Sequence, residues 1–427
     1  MIYFFYNLFL FLIYPLFYGL SRFSSKGRNA FSQRKSDLKQ LLSLDTKGRE
    51  TVWLHAASVG ELDQARALAQ AIKKKNPNKF ILQSVFSNSV TSKQLNDPHF
   101  DGTFLLPFDL PFAYDSILNK FFPKTLIVLA WDTWPNLLKQ TKRSGAKTYL
   151  ACASLSSDSG RKKGIVHSLT KASFYYLDGI FPSHEILVPE FKSLVSSSVE
   201  VSPLGDTRFD SVLNKIESSS PPESFVNFSK TFRSEIQNNP PVLFGSTYPV
   251  CESYLISFLE KNTSSKENYW IFPHKWENSR MEEVSEKLKR FGTVSKFSEI
   301  KDGSASYPNF LLVDEMGILA FAYRYAKLAY VGGGFHHRIH NTIEPAAFSL
   351  PLLTGPKITN APEAIVMQKL GGLKRCGTKE EFHNNLNLLL SSSDLRSDLG
   401  TKNRKFVLEN RGASEKICSR VFSNDFP

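Results

Sequence analysis

The chain has 427 residues, of which 41% are hydrophobic and 22% charged, a composition typical of globular proteins rather than disordered ones. An excess of 53 Lys and Arg over 40 Asp and Glu gives a net charge of +13, which suits DNA, anionic lipid or an anionic small molecule. The cysteines, Cys152, Cys251, Cys376 and Cys418, form no CxxC or CxH pattern. We therefore expect neither a disulfide scaffold nor a structural zinc site.

The N-terminal residues 1–20, MIYFFYNLFLFLIYPLFYGL, carry no charge and are long enough to cross or deeply enter a bilayer. Basic residues follow from Arg22 to Lys39, a pattern that favours a cytoplasmic location for the next domain. A signal peptide is a competing interpretation, but no basic residue precedes the apolar run and no A-x-A site follows it. An apolar helix buried in the fold is another. We predict a membrane anchor at 1–21, and because Pro15 would kink the helix, both a full span and insertion into one leaflet stay open.

Short apolar runs alternate with helical segments after the anchor. TVWLHAA, FILQSVFS, KTLIVLA and KTYLACA are predicted strands, and LDQARALAQAIKKKNP is a predicted helix. The composition shifts to SSSPPE and QNNPP between about residues 215 and 241, after which the alternation restarts. We therefore predict an α/β fold of two Rossmann-like doubly wound domains, 22–214 and 241–427, joined by a linker at 215–240 and facing a cleft.

Three segments of the first predicted domain carry candidate catalytic groups. In HAASVGELDQA, Glu61 stands at the start of a helix, where it could remove a proton from a hydroxyl or simply cap the helix. In LAWDTWPNLL, Asp132 follows a buried strand between two tryptophans, which could face a ligand or pack in the core. In LGDTRFD, Arg208 could face an anionic group or be a solvated surface arginine.

The second predicted domain has segments suited to an anionic ligand. FGSTYPVCE is a strand that runs into Gly-Ser-Thr before a helix, and it is not a Walker A sequence because no GK[ST] follows. IFPHKWE adds His274 and Lys275 at another strand end, and VDEMGILAFAY has a Met-Gly turn that opens a helix. In VGGGFHHRIHNTIEPAAF we expect the glycines to allow close backbone approach to a ligand, and we expect Asn341 and Glu344 to share one helical face.

A metal site is the alternative interpretation of this last segment. His336, His337 and His340 form an HHxxH pattern. The pattern lacks a nearby carboxylate that would match a known metal motif, so we predict no metal.

Taken in order, these segments resemble the 3-deoxy-D-manno-octulosonic acid (Kdo) transferases of lipopolysaccharide assembly. The resemblance runs through SVGE, LPFDLP, WPN, GDTRFD, GST, the PH segment, MG, VGGG, HNTIEPAA and GPKITNAPEA, and so covers nearly the whole chain. It implies a GT-B fold and an inverting transfer of Kdo from CMP-Kdo to a lipid A precursor, without a metal or other cofactor. It also implies a location at the inner membrane, in contact with membrane lipid, with the catalytic domains on the cytoplasmic face.

The resemblance also implies roles for individual residues. Glu61 matches the general base of the family, and we expect Arg208 and Asp132 to complete the catalytic set. The residues expected to bind CMP-Kdo are Ser246, Thr247, Pro273, His274, Met316, Gly317, Ile318, Asn341, Thr342, Ile343 and Glu344.

The chain departs from the common pattern of the family at several of these segments. The usual Glu-Thr-Glu before Trp-Pro-Asn is Ala130, Trp131 and Asp132, and the usual Asn-Ala-Arg is Cys152, Ala153 and Ser154. The lysine before Phe-Asp is Arg208, Pro-Arg-His is Pro273, His274 and Lys275, and the glutamate after Met-Gly is Ile318.

Other functions are compatible with parts of this pattern. One is a GT-B glycosyltransferase that uses a UDP-sugar, and another is a membrane-attached binding homologue that has lost activity, which Ala130 suggests. Nucleic-acid binding would use the positive charge, but the sequence has no recognition motif and no basic-aromatic array, so we predict no nucleic-acid partner.

Overall fold

Two parallel β-sheets, one in each half of the chain, organise the fold. The computed structural model describes residues 1–87, 90, 96–155, 159–263, 266–275, 277–303, 306–336 and 338–423. These residues form two compact units, which we call the N-terminal and the C-terminal domain. The N-terminal domain is Met1–Ser211 together with the segment that begins at Gly412, and the C-terminal domain is Val212–Arg411.

The sheet of the N-terminal domain has the strand order β3-β2-β1-β4-β5-β6-β7, and all neighbouring strands are parallel. Its strands are β1 (Thr51–Ala56), β2 (Phe80–Val85), β3 (Gly102–Leu105), β4 (Thr125–Leu129), β5 (Lys147–Ala153), β6 (Gly179–Pro182) and β7 (Glu200–Val201). Every residue of β1, β2 and β4 is buried, which explains why these strands are continuous apolar runs rather than alternating ones.

Helices cover this sheet. They are α1 (Ile2–Ser21), α2 (Ser25–Leu42), α3 (Val59–Lys75), α4 (Asp115–Phe121), α5 (Pro135–Arg143), α6 (Gly164–Phe174) and α7 (Val188–Lys192). A further helix, α8 (Thr207–Ser218), leads into the C-terminal domain.

The sheet of the C-terminal domain is also fully parallel, with the order β10-β11-β9-β8-β12-β13-β14. Its strands are β8 (Val242–Thr247), β9 (Tyr269–Pro273), β10 (Val294–Lys296), β11 (Phe310–Leu312), β12 (Leu328–Val331), β13 (Leu352–Thr354) and β14 (Leu373–Arg375). Its helices are α9 (Glu223–Thr231), α10 (Arg233–Asn238), α11 (Pro249–Lys261), α12 (Asn278–Leu288), α13 (Phe297–Ile300), α14 (Leu319–Ala322), α15 (Ile343–Ala347), α16 (Pro362–Lys369), α17 (Lys379–Ser391) and α18 (Ser393–Glu409).

The segment 215–240, which we predict as a linker, contains α9 and α10 instead of an extended connection. Phe225 and Phe228 of α9 are buried, and both rings contact the ring of Trp270. The proline and serine clusters therefore mark only the ends of these helices. The buried phenylalanines are one helical turn apart and bind the segment to the C-terminal domain.

The predicted second domain, 241–427, extends too far. The segment that begins at Gly412 belongs to the N-terminal domain. Helix α19 (Ala413–Val421) packs against α3 and buries Ile417 and Cys418. The carboxylate of Asp210 fixes its start by accepting bonds from the backbone N–H groups of Gly412 (2.6 Å) and Ser414 (2.7 Å). The C-terminal domain therefore ends at Arg411.

Helix α1 has the length and composition needed to cross a membrane, and within the described residues it alone does. Its mean hydropathy is 1.5, and no residue of its most apolar window is buried. Its first turns nevertheless carry polar groups that bind the domain. The Tyr6 hydroxyl donates to Asp109 at 2.8 Å, and Asn7 accepts a bond of the same length from the Asn136 amide.

Candidate active site

Several of the predicted segments follow the strands where the strand order of each sheet reverses. In the N-terminal domain these strands are β1 and β4, which neighbour each other although they are not consecutive. In the C-terminal domain they are β8 and β12. Such positions are where open α/β sheets bind ligands.

Glu61 lies in the first turn of α3 and only 4% of it is exposed. Its Oε2 atom accepts bonds from the backbone N–H groups of Ala57 (2.6 Å) and Ser58 (3.2 Å). The carboxylate therefore caps the helix, as the alternative interpretation holds. Both donors stabilise the ionised form, which is the form that a base requires, so the capping role and the catalytic role are compatible.

Asp132 lies after β4 within a buried hydrogen-bonded chain. Its Oδ2 atom accepts from the Trp134 indole at 2.8 Å and lies 3.3 Å from His55 Nε2. His55 is fully buried on β1, and its Nδ1 atom lies 2.9 Å from the Ser84 hydroxyl. These bonds fix the position of Asp132, so its carboxylate is oriented by the core. Sequence reasoning missed His55, although it directly opens the HAASVGE segment.

Trp131 precedes this aspartate and keeps 40% of its surface exposed. The guanidinium carbon of Arg161 lies 4.7 Å from the centre of the Trp131 ring, and Arg161 also donates to the Thr133 hydroxyl at 3.2 Å. Backbone strain accompanies this arrangement, because Ala130 (φ 60°) and Cys152 (φ 51°) both adopt the left-handed region that L-residues with a Cβ rarely adopt.

Arg208 forms an ion pair within its own segment. Its Nε atom donates to Asp206 Oδ2 at 2.9 Å, and its Nη2 atom lies 2.8 Å from the same oxygen. Asp206 also accepts a bond from Gln64 at 2.8 Å, and Gln64 lies three residues after Glu61 on α3. The structure thus brings Arg208 and the helix of Glu61 into one network. Arg208 is held by Asp206 and is not a solvated surface arginine.

In the C-terminal domain, the side chain of Thr247 is turned into the protein. Its hydroxyl is fully buried and donates to Glu252 at 2.7 Å. Glu252 is also paired with Arg280, and Arg280 donates to the Thr247 carbonyl at 3.2 Å. The Thr247 hydroxyl therefore holds the start of α11, whereas Ser246, at φ 53°, lies at a strained irregularity near the end of β8.

Three histidine rings surround Tyr248, which immediately precedes α11. The ring centres of His274, His336 and His340 lie 5.0, 4.3 and 5.8 Å from that of Tyr248, and the Tyr248 hydroxyl is 3.2 Å from His340 Nε2. We call these four residues the Tyr248 cluster. Sequence reasoning missed Tyr248, although its place before Pro249 at a helix start could have indicated it.

The charge state of this cluster follows from its surroundings. Burial, followed by the charges of His274, Arg338 and His336, lowers the pKa of His340 to about 4. Burial, Lys275 and Arg280 also lower the pKa of His274. His274 and His340 are therefore neutral at pH 7 unless an anion binds. His337, part of the HHxxH pattern, lies outside the described residues, and among those described no set of three or more His, Cys, Asp or Glu side chains could hold a metal.

The three glycines after β12 pack closely against backbone, and their predicted contact with a ligand stays a prediction. A Cβ atom on Gly332 would lie 1.9 Å from the Ser246 carbonyl oxygen, and one on Gly333 would lie 2.2 Å from the Arg338 carbonyl oxygen. Gly333 also has φ 91°, which favours glycine. The glycines therefore let the loops after β8 and β12 pack closely.

The remaining predicted ligand residues differ in accessibility. Met316 is 75% exposed, and a Cβ on Gly317 would meet no atom within 4 Å, so both face open space. Other side chains are buried, namely those of Pro273, Ile318, Thr342 and Ile343. The helix after Gly317 has only four residues. Its dipole is therefore weak, and its N-terminus would stabilise a bound phosphate less than we expect from the sequence.

Asn341 and Glu344 do not share a helical face, in contrast to the sequence expectation. Helix α15 begins at Ile343, and the Asn341 side chain caps it by accepting from the backbone N–H groups of Ile343 (2.9 Å) and Glu344 (3.4 Å). The carboxylate of Glu344 lies 3.7 Å from the Lys215 ammonium. Asn341 therefore positions the turn that presents Glu344.

Comparison with known proteins places this arrangement in context. Residues 27–211 match a family model described as 3-deoxy-D-manno-octulosonic-acid transferase (kdotransferase). The 3-deoxy-D-manno-octulosonic acid transferase of Haemophilus influenzae is 26% identical over 376 residues, which cover 86% of this chain and 85% of the relative. That of Chlamydia trachomatis serovar A is 27% identical over 329 residues, which cover 75% of this chain and 72% of the relative.

Solved structures share the fold at low identity. A UDP-GlcNAc 2-epimerase from Neisseria meningitidis, bound to UDP-GlcNAc, is 13% identical with a TM-score of 0.66 and covers 88% of this chain and 100% of its own. A glycosyltransferase from Rickettsia africae is 12% identical with a TM-score of 0.56 over the same shares of the two chains. The predicted GT-B fold of two Rossmann-like domains is confirmed.

Proposed function

We propose that this chain, a member of the 3-deoxy-D-manno-octulosonic acid transferase family, moves Kdo from CMP-Kdo to a lipid A precursor in lipopolysaccharide biosynthesis. It is a glycosyltransferase that uses a sugar-nucleotide donor and a glycosyl acceptor. The observation that carries the proposal is the family match together with a buried carboxylate, Glu61, at the strand-order reversal of the N-terminal sheet. The donor CMP-Kdo and the lipid acceptor follow from the resemblance of the sequence motifs.

The chemistry assigned to the N-terminal domain begins at Glu61. An inverting transfer needs a base that removes the proton of the acceptor hydroxyl as it attacks the anomeric carbon. Glu61 supplies an ionised carboxylate on a rigid helix start, held by two backbone N–H groups. Asp132, fixed by His55 and Trp134, adds negative charge at the same sheet edge, where an oxocarbenium-like sugar would gain from it.

The C-terminal domain is proposed to bind the donor. Glu344 would accept bonds from the ribose hydroxyls, and the exposed Met316–Gly317 turn would lie against the nucleoside. His274 and Lys275 would face the phosphate and offset the charge that develops as CMP leaves. Arg208 would add positive charge from its own segment. No metal is required in this scheme.

The location proposed for the enzyme is the cytoplasmic face of the inner membrane. Helix α1 is apolar over its 20 residues and is followed by the basic helix α2. An acceptor with lipid chains stays in the membrane, so an enzyme that acts on it needs such an anchor. Basic residues beside the anchor would meet anionic lipid.

The direct test is an incubation of the purified full-length chain, in detergent, with CMP-Kdo and a tetra-acylated lipid A precursor, followed by mass spectrometry. We expect products heavier by one or more Kdo residues. Product from UDP-sugars but not from CMP-Kdo would replace this function with that of another GT-B glycosyltransferase. CMP-Kdo binding without product would instead indicate a non-catalytic homologue.

A further inference from the structure

Arg161 lies at the carboxyl edge of the N-terminal sheet. It belongs to the short 3-10 turn Gly160–Lys162 that follows β5 and is half-buried. One N–H group of its guanidinium donates to Thr133 at 3.2 Å, and the guanidinium carbon lies 4.7 Å from the centre of the Trp131 ring. Within the part of the chain that the structure describes, no Asp or Glu oxygen lies within 4 Å of it. Burial lowers the pKa of Arg161, and the charge of Asp132 acts in the opposite direction.

Among the described residues, no neighbouring carboxylate accepts a hydrogen bond from this guanidinium. Asp132 favours its charged form from a distance, but the Oδ2 atom of Asp132 is bound by Trp134 and His55. A guanidinium has five N–H donors, and the donors of Arg161 that do not bond Thr133 are accessible to solvent, where an anion can reach them. An incoming anion would supply acceptors for those donors, and it could also accept the hydrogen of the Thr133 hydroxyl, whose oxygen already accepts from Arg161.

The next residue in the chain provides a contrast. Lys162 is equally close to the site in sequence, but its ammonium is paired with Glu190. Its charge is therefore neutralised by a direct ion pair, whereas Arg161 makes no such contact with a carboxylate among the described residues.

Two departures from the family pattern lie directly beside this group. The resemblance places Glu and Arg where this chain has Ala130 and Ser154, and the backbone N–H of Ser154 donates to the Ala130 carbonyl at 3.0 Å. An acid and a base are thus absent from adjacent positions, which leaves the local charge unchanged. Arg161 places a guanidinium at this edge, against the ring of Trp131.

We propose that Trp131, Thr133 and Arg161 form an anion subsite that holds a phosphate or carboxylate group of the glycosyl acceptor. The inference rests on the proposed function for the identity of the acceptor, and its geometry lies wholly within the N-terminal domain. Two groups of the acceptor could supply this anion. One is a phosphate of the lipid A precursor, and the other is the carboxylate of a Kdo already attached to it. Arg161 can bind either with two parallel N–H bonds.

The test compares Arg161→Ala and Arg161→Lys with the control Lys162→Ala, which changes the net charge equally. We expect Arg161→Ala to lower kcat/KM for the acceptor by about 10- to 100-fold, the range for bonds to charged groups, while the KM for CMP-Kdo stays unchanged. Arg161→Lys should recover part of the loss because it keeps the charge without the planar fork. Lys162→Ala should stay within about twofold of wild type.

Two further arms separate the sources of the anion. If Arg161 binds phosphate, removing the acceptor phosphates should slow the wild type but not slow Arg161→Ala further. If it binds a carboxylate, the loss should appear only with an acceptor that already carries one Kdo. A higher KM for CMP-Kdo in Arg161→Ala, or equal effects of Arg161→Ala and Lys162→Ala, would overturn the subsite.

Failure of the proposed function is distinguishable from failure of the subsite. If the wild type forms no product, equilibrium binding of the bisphosphorylated precursor in detergent micelles replaces kinetics. Weaker binding by Arg161→Ala than by Lys162→Ala still supports the subsite, and equal binding refutes it. Thermal unfolding midpoints of the variants identify any that fold poorly, in which case Arg161→Lys decides the outcome.

Discussion

The two domains have nearly the same architecture but opposite chemistry at the sheet edge where the strand order reverses. The N-terminal edge holds carboxylates that backbone N–H groups and neighbouring side chains fix in place, as at Glu61 and Asp132. The C-terminal edge holds the Tyr248 cluster, in which the pKa values of His274 and His340 are lowered, with Lys275 and Arg280 beside His274. The fold therefore supplies a position, and the loops after the strands decide whether that position serves a base or an anion.

The difference suits a division of labour between acceptor activation and donor binding. A base is useful only if its carboxylate stays ionised, which the N–H donors to Glu61 promote. A phosphate site needs donors and positive charge, which histidines provide only when a bound anion raises their proton affinity. Each prediction below tests one side of this contrast.

The largest effect is expected from Glu61→Gln. Gln keeps an oxygen that can cap α3, so the fold should survive, but it cannot accept the proton of the acceptor hydroxyl. Transfer should fall by about 10²–10⁴-fold while CMP-Kdo binding stays nearly intact, as measured by product formation and donor titration. Near-wild-type transfer would remove Glu61 from the mechanism.

Glu299 offers a matched control for this variant. Its carboxylate caps α13 by accepting from the backbone N–H of Lys296 at 2.9 Å, in the C-terminal domain. Glu299→Gln should therefore leave transfer unchanged, and a similar loss in both variants would point to capping rather than catalysis.

The second prediction is that acidification acts on the two domains in opposite directions. The folded pKa of His340 is lowered to about 4, so the unfolded chain binds more protons as the pH falls below about 6.5 and stability is lost. Burial raises the pKa of Asp109 to about 6, against the N–H and O–H donors that lower it, so the folded chain binds more protons in this range and stability is gained.

When the pH falls from 7.5 to 4.5, we expect His340 to lower the free energy of unfolding by about 2 to 3 kcal/mol. Asp109 should raise it by a similar amount. Urea unfolding of His340→Asn should therefore show a smaller loss of stability on acidification than the wild type shows. Asp109→Asn should show a larger loss. Parallel pH profiles for the wild type and both variants would contradict the assignment.

A third, smaller effect is expected at Glu344. If its carboxylate accepts the ribose hydroxyls, Glu344→Gln should weaken CMP binding by about 10-fold or more, because a charged acceptor becomes neutral. Competition of CMP and UDP for donor binding measures the change. Glu217→Gln is the control, since Glu217 makes two bonds to Arg411 elsewhere in the same domain and should leave CMP affinity as it is.

The smallest effect is expected at the attachment of α1. Tyr6→Phe removes one of four donors to Asp109, the others being the Tyr114 hydroxyl and the backbone N–H groups of Asn136 and Leu137. We expect a loss of about 1 kcal/mol in unfolding free energy and faster trypsin cleavage after Arg22. Tyr18→Phe is the control, because its hydroxyl has no bonded partner in the described part of the chain. Equal cleavage of the two variants would show that this bond does not hold the helix.

Much of the fold could be predicted from local sequence pattern. Continuous apolar runs indicate buried parallel strands, and their alternation with helices indicates two doubly wound domains, as observed. The predicted linker was wrong, because the Ser-Pro and Asn-Pro clusters suggest an open chain while Phe225 and Phe228 bind the segment to Trp270. The return of α19 to the N-terminal domain could not be predicted, since it depends on contacts with α3 that are distant in sequence.

Some features of the candidate site could likewise be predicted from the sequence, and others depend on the tertiary structure. The sequence by itself determined the strand-end positions of Glu61, Asp132 and Glu344, because parallel strands bring their carboxyl ends to one edge. Only the tertiary structure decided that Thr247 faces inward and that the glycines after β12 contact backbone. The pairing of Arg161 with Trp131 likewise joins loops from different strands. Residue type and periodicity act over a few neighbours along the chain, whereas burial and hydrogen-bond partners are set by segments that meet only after folding.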